Sequence, residues 1–249
     1  MRQTWVWLVV LLMAASTWGF LGAGEEVQTT SATIEIGTFN LKWFSDRDWS
    51  TCPFAEEHNP RSEDDVAALA AFIDGLDIEV LALQEIESAA ALDHLLSYMP
   101  PGKYRYVISR QPDTCQYVAV LYQAREVTVD YVGEIDTSMG HWGLRDSLVV
   151  SGKILPDGFD FTLVVVHLKA FSGQESRRTR RRQLELLGEW VANYLRDPSS
   201  DKDLILAGDF NEHLRSNKTS FALLEHGLEL HLVAKDISRC VHASREVLL

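Results

Sequence analysis

The chain is 249 residues long and 46% apolar, with a formal net charge of −13 at pH 7. That apolar share can bury a sizeable core, and the acidic balance excludes a global basic field that would gather nucleic acid. The length suits one large α/β domain or two small ones, and the lack of any Gly/Ser-rich or Pro-rich linker or internal repeat favours one.

At the amino terminus Arg2 precedes an apolar run over 5–15 and the small residues Gly22, Ala23 and Gly24. This is the layout of a secretory signal peptide, so residues 1–24 are expected to be removed and the protein to be secreted or periplasmic. The alternative is an uncleaved membrane anchor, because 5–24 is nearly long enough to span a bilayer. Membrane contact is expected only through that segment. Apolarity falls off after Ala15 and Glu25 and Glu26 follow, which favours cleavage. Export permits disulfides. Cys52 and Cys115, both in loop-like sequence, are expected to pair and leave Cys240 over; three unpaired thiols is the alternative.

A β-rich run over 33–39 opens the domain, and an irregular stretch over 45–60 follows. Ser62-Glu63-Asp64-Asp65 reads as a capped helix start, with Val66, Leu69, Ile73 and Leu76 as the buried stripe and Gly75 near the stop. A strand over 78–83, a helix over about 88–98 and the breaker Pro100-Pro101-Gly102 come next. Strands are predicted over 104–109, 117–122, 127–132, 147–154 and 161–167, with a turn signal at Asp157-Gly158. Leu184, Leu187, Val191 and Leu195 then mark an amphipathic helix whose first turns carry Arg177, Arg178, Arg180, Arg181 and Arg182. Positive charge is disfavoured at that end of a helix dipole. The cluster is a solvated basic face or a patch that tracks phosphates. A strand over 203–207 and a helix over about 219–225, closed by Gly227, complete the pattern. Helices between early and late strands, around a strand meander, point to two mixed sheets packed face to face with helices outside.

Four of these runs end in polar residues: Thr38-Phe39-Asn40, Leu83-Gln84-Glu85, Val165-Val166-His167 and Gly208-Asp209-Phe210-Asn211. Ligands collect at the carboxyl ends of strands in α/β proteins. Glu85 suits a hard cation, which takes one or two carboxylates and completes its shell with water and phosphate. Asp209 could orient or deprotonate water, and Asn211 could donate to a phosphate oxygen. His167, and less strongly Lys169 two residues on, could approach a phosphate. Taken singly, each has a plain structural alternative: a solvated loop glutamate, an Asx-turn, a satisfied core histidine, a turn asparagine at Asn40.

Together the strings resemble the endonuclease/exonuclease/phosphatase superfamily, the deoxyribonuclease I-like fold, from about residue 33 to the end of the chain. A fifth match is Gly143-Leu144-Arg145 ahead of Asp146-Ser147-Leu148-Val149-Val150. The resemblance implies an α/β four-layer sandwich of two mixed β-sheets flanked by helices, over 25–249. It also implies metal-assisted phosphoester hydrolysis with Mg²⁺, or Mn²⁺ or Ca²⁺ in its place. Glu85, assisted by Asn40, would hold the metal, and Asp209 would position the attacking water. His167 and Asn211 would stabilise charge at phosphorus, with Arg145 in reach of the phosphate. Family members close with a strand carrying Asp-His or Ser-Asp-His. Here Arg245-Glu246-Val247-Leu248-Leu249 looks like the start of that strand and His242 precedes it, so the sequence is expected to stop short of the terminal histidine and its acid/base function.

The expected activity is that of an exported, monomeric phosphodiesterase acting on DNA or RNA, since the arginine cluster follows closely after His167. A phospholipid or inositol-phosphate phosphoesterase is the first alternative. A non-catalytic binding module on the same fold is the second.

Overall fold

The computed structural model describes residues 9–13, 34–45, 61–111, 116–156, 158–212, 217–228 and 230. The expected cleavage point, the Cys52–Cys115 pair, Cys240 and the 245–249 segment lie outside these residues. In chain order the elements are β1 (Val9–Met13), β2 (Ile34–Phe44), α1 (Glu63–Leu76), β3 (Val80–Ile86), α2 (Ala89–Ser97), β4 (Tyr104–Ile108), β5 (Tyr117–Gln123), β6 (Val127–Ile135), β7 (Ser147–Ile154), β8 (Asp160–His167), α3 (Gln174–Arg196), β9 (Leu204–Asp209) and α4 (Lys218–Glu225).

The strands form two mixed sheets. One runs β1-β2-β3-β5-β4 and the other β6-β7-β8-β9. The segment β1, inside the apolar amino-terminal run, lies antiparallel on the outer edge of β2; without it both sheets have four strands. Among the described residues only β2/β3 and β8/β9 pair in parallel, and each pair is joined by a crossover containing a long helix.

Alternation along the strands builds the layers, because successive side chains point to opposite faces. Val80 and Ala82 of β3, with Leu163 and Val165 of β8, fill the core between the sheets. Their neighbours Leu81 and Leu83 pack under α1 and α2, and Val164 and Val166 pack under α3 and α4. Strands buried on both faces read as continuous apolar runs. The result is the expected four-layer sandwich.

Local signals account for the helix ends. Ser62 and Asp65 form the anticipated capping box, with Asp65 N donating to Ser62 Oγ at 3.2 Å and Ser62 N to Asp65 Oδ2 at 3.2 Å. Gly75 falls near the stop of α1, as expected. The helix runs through it to Leu76, and Asp77 ends it in the left-handed conformation (φ 52°). Strand β6 runs beyond the expected 127–132 to Ile135, across a shift in register between Tyr131 and Gly133.

Candidate active site

Parallel neighbours finish at the same edge of a sheet, so the two parallel pairs deliver four strand exits to one place. Asn40 lies opposite Gln84, one residue before Glu85, and His167 lies opposite Asp209. The backbone is then distorted to aim the carboxylate. Glu85 is the extra residue of a bulge: Gln84 pairs with Val118 and Ile86 with the adjacent Tyr117, leaving Glu85 unopposed at φ 62°. A left-handed glutamate inside a strand is strained, and bulges re-aim side chains next to functional sites. Gln84 points into the interior, donating from Nε2 to Thr38 Oγ1 and to Ala82 O, both at 3.0 Å.

Asn40 joins the two sheets. Its Nδ2 donates to Glu85 Oε1 at 2.8 Å and to Asp209 Oδ2 at 3.1 Å. Glu85 Oε2 accepts from Trp43 N at 3.0 Å, and Asn40 Oδ1 accepts from Lys42 N at 2.9 Å. Asp209 is fixed by Asn211 N, which donates to its Oδ1 at 2.8 Å. Gly208 makes the exit possible: at φ 136°, a Cβ there would lie 2.1 Å from Val166 O.

Opposite the carboxylates is a buried pair. Arg145 Nε donates to His167 Nδ1 at 3.1 Å, Nη2 lies 2.8 Å from the same atom, and Nη1 donates to Gly143 O at 2.8 Å. Burial pushes Arg145 down to about 10, against the pull of the Glu85 and Asp209 charges, so it remains a cation. Burial and the Arg145 charge hold His167 well below the usual histidine range. The guanidinium only donates and rests against both ring nitrogens, with Nη2 also 2.9 Å from Nε2. That atom is 3.6 Å from Glu85 Oε1, a polar contact rather than an ion pair for a neutral ring.

All six residues singled out in the sequence therefore share one network: Asn40, Glu85, Arg145, His167, Asp209 and Asn211. Two details differ from expectation. Asn211 spends an amide N–H on Leu168 O (2.9 Å), and so holds the β8 exit as well as Asp209. Strand β8 stops at His167, so Lys169 does not continue beside it; its Nζ lies over the Phe171 ring, 5.3 Å from the centroid.

The arginine run divides in the same way. Arg177 and Arg178 are exposed, Arg181 and Arg182 pair with Glu185, and Arg180 is buried. Arg180 Nη1 donates to Lys169 O (2.6 Å) and Phe171 O (3.1 Å), and Nε donates to Glu212 Oε2 (3.4 Å). Beside it, fully buried Gln183 accepts from Lys169 N at 2.8 Å and donates to Thr137 O at 3.0 Å. Thr137 Oγ1 in turn donates to Arg145 O at 2.8 Å. One face of α3 thus ties together the loops that carry Arg145, His167 and Asp209. The clue in the sequence was phase: Arg180 and Gln183 fall on the same stripe as Leu184 and Leu187.

The donor set suits a hard divalent ion. Glu85, Asp209 and Asn40 offer only oxygens, each with lone-pair capacity beyond the bonds just given, and Mg²⁺ asks for few protein ligands. Among the described residues, no group of three or more His, Cys, Asp or Glu side chains is placed to hold a metal unaided.

Comparison with known proteins bears on the fold and the family. The chain matches no curated protein sequence. Its fold resembles a mannosyl-6-phosphatase of Bacteroides thetaiotaomicron (TM-score 0.50, 18% identity, 65% of this chain and 61% of that one). It also resembles D. rerio TDP2 complexed with a single-strand DNA product (TM-score 0.51, 15% identity, 76% and 65%). A second Bacteroides thetaiotaomicron protein, of the endonuclease/exonuclease/phosphatase family, aligns with TM-score 0.49 and 18% identity over 65% of this chain. The chain spans 57% of that protein's length and 61% of the mannosyl-6-phosphatase's. The likenesses at TM-scores of 0.50 and 0.51 show the fold, two mixed sheets flanked by helices. The family model described as endonuclease/exonuclease/phosphatase matches residues 42–231, most of the sandwich, and the chain belongs to that family.

Proposed function

We propose that the protein is an exported, divalent-metal-dependent phosphodiesterase that hydrolyses nucleic acid. The observation that carries the hydrolase reading is the Asn40 amide, shared between the Glu85 and Asp209 carboxylates and facing the Arg145–His167 pair. That arrangement sets carboxylate oxygens beside a buried cation and its histidine partner, with His167 Nε2 3.6 Å from Glu85 Oε1. Glu85, with Asn40 beside it, would hold a divalent ion such as Mg²⁺, whose contribution is Lewis-acid polarisation of a phosphate oxygen. Asp209, locked by hydrogen bonds to both oxygens, orients a water molecule and accepts its proton. Arg145, a cation with little freedom, opposes charge that builds on the phosphoryl oxygens. Neutral His167, held against Arg145, would donate a ring N–H to the same developing charge.

Nucleic acid is favoured by the exposed Arg177 and Arg178 on α3, since backbone phosphates need only a local basic patch. Export rests on Arg2 and the apolar run behind it. The test is a panel of DNA, RNA, sphingomyelin and inositol phosphates, with and without EDTA, and fractionation of cells expressing the full chain. Metal-dependent cleavage of an oligonucleotide by exported protein is expected. Turnover of a lipid or inositol substrate alone would replace the substrate assignment, and no turnover with any metal would leave a binding module.

A further inference from the structure

We propose that Phe171 is a base-stacking residue, specific for a nucleobase adjoining the scissile phosphate of single-stranded nucleic acid; this rests on the phosphodiesterase reading above. Among the described residues Phe171 is the most exposed large apolar side chain, at 71%. Single exposed aromatics are ordinary, and two further observations set this one apart.

The first is strain. Phe171 has φ 75°, a left-handed conformation that bulky residues avoid. Strain of this kind persists where the surroundings over-determine it, and it collects at ligand clamps. The surroundings do so here. Arg180 grips the carbonyls of Lys169 and Phe171, and its Nε reaches Glu212, the residue after Asn211. At the other end of the turn Asn211 holds Leu168 O. One guanidinium therefore binds the Phe171 backbone to the strand exit that carries Asp209. Phe171 lies four residues beyond His167, a reach of at most about 14 Å, which keeps it near the phosphate site and away from remote parts of a substrate.

The second is the neighbouring charge. Lys169 Nζ lies 5.3 Å from the ring centroid, and Arg177 and Arg178 are exposed on the helix that begins just beyond. A flat apolar face flanked by cations matches a nucleotide, which presents a π-face and a phosphate together. Acyl chains and inositol rings offer no such face.

The test uses the full chain, an oligodeoxynucleotide and an abasic oligodeoxynucleotide of the same length. Base stacking lost to alanine corresponds to about 5- to 140-fold in affinity. Phe171→Ala is expected to raise KM on the base-bearing strand by that factor, with little change on the abasic strand, and Phe171→Trp to restore it. Phe171→Gly should show the same KM defect together with a higher Tm, because glycine releases the left-handed strain. If the wild type cleaves both strands and Phe171→Ala changes neither, or impairs both equally, the stacking role is refuted while the phosphodiesterase reading stands. Cleavage of neither strand by the wild type would overturn both.

Discussion

Replacing Gln183 by Met tests whether α3 positions the site. Gln183 is fully buried, accepts one main-chain hydrogen bond from Lys169 N and donates one to Thr137 O. Methionine keeps the volume and removes both. The bare Lys169 N–H and Thr137 C=O would each cost about 1–3 kcal/mol, or about 2–4 kcal/mol together after some relaxation. For a chain of this size that corresponds to a fall in Tm of about 4–16 °C. Activity should fall as well, because Thr137 fixes Arg145 O and Lys169 follows closely after His167. Misplacement of a reacting group by about 1 Å can cost about 10²-fold. The assay is thermal unfolding beside steady-state phosphodiester hydrolysis at a temperature where both proteins are folded. Leu187→Ala, a core cavity on the same helix, serves as control: it should lower Tm with kcat unchanged. Equal kcat for Gln183→Met and wild type, or equal kcat losses for the two variants, would refute the positioning argument.

Arg145→Met should reduce kcat/KM by about 10²–10³-fold, as expected for loss of one preorganised donor. Urea unfolding should show little loss of stability, because removing a buried charge offsets the lost hydrogen bonds. His167 gives a pH dependence of defined sign. The unfolded ring titrates near the ordinary value of about 6.5 and the folded ring well below it, so the unfolded state binds the proton first as pH falls. In metal-free buffer the stability should be full above about pH 6.5. It should then decline at up to about 1.4 kcal/mol per pH unit below it, and His167→Asn should flatten that slope in urea midpoints. Gly208→Ala should destabilise by about 3 kcal/mol or more, since the new Cβ meets Val166 backbone at φ 136°; chemical denaturation of the pair measures it.

The layers and the site edge were legible because burial on both faces leaves continuous apolar runs, and Asn40, Glu85, His167 and Asp209 lie at the ends of such runs. Ser147 to Ile154 was read to the residue, since polar loops bound it on both sides. Lys169 was misread because period-2 reasoning assumes that the strand continues, and Arg180 stops it by capturing the next carbonyls. The bulge at Glu85 and the inward turn of Arg180 depend on contacts with distant segments. No local pattern encodes them, although the helical phase of Arg180 and Gln183 with Leu184 pointed to burial. The cap of α1 at Asp77 is held by partners far along the chain, since its carboxylate accepts from Lys103 (3.1 Å) and Gln123 (3.1 Å).

The central claim is that Glu85 and Asp209 serve one metal-assisted hydrolytic site in different roles. The direct measurement is a Mg²⁺ titration of oligonucleotide hydrolysis by wild type, Glu85→Gln and Asp209→Asn. Glu85→Gln should shift the Mg²⁺ midpoint to higher concentration by at least about tenfold, because it removes the main carboxylate ligand. Asp209→Asn should keep the midpoint near that of the wild type and lower kcat by about 10²–10⁴-fold, as loss of a general base does. Unchanged metal dependence in Glu85→Gln, or full turnover in Asp209→Asn, would contradict the account.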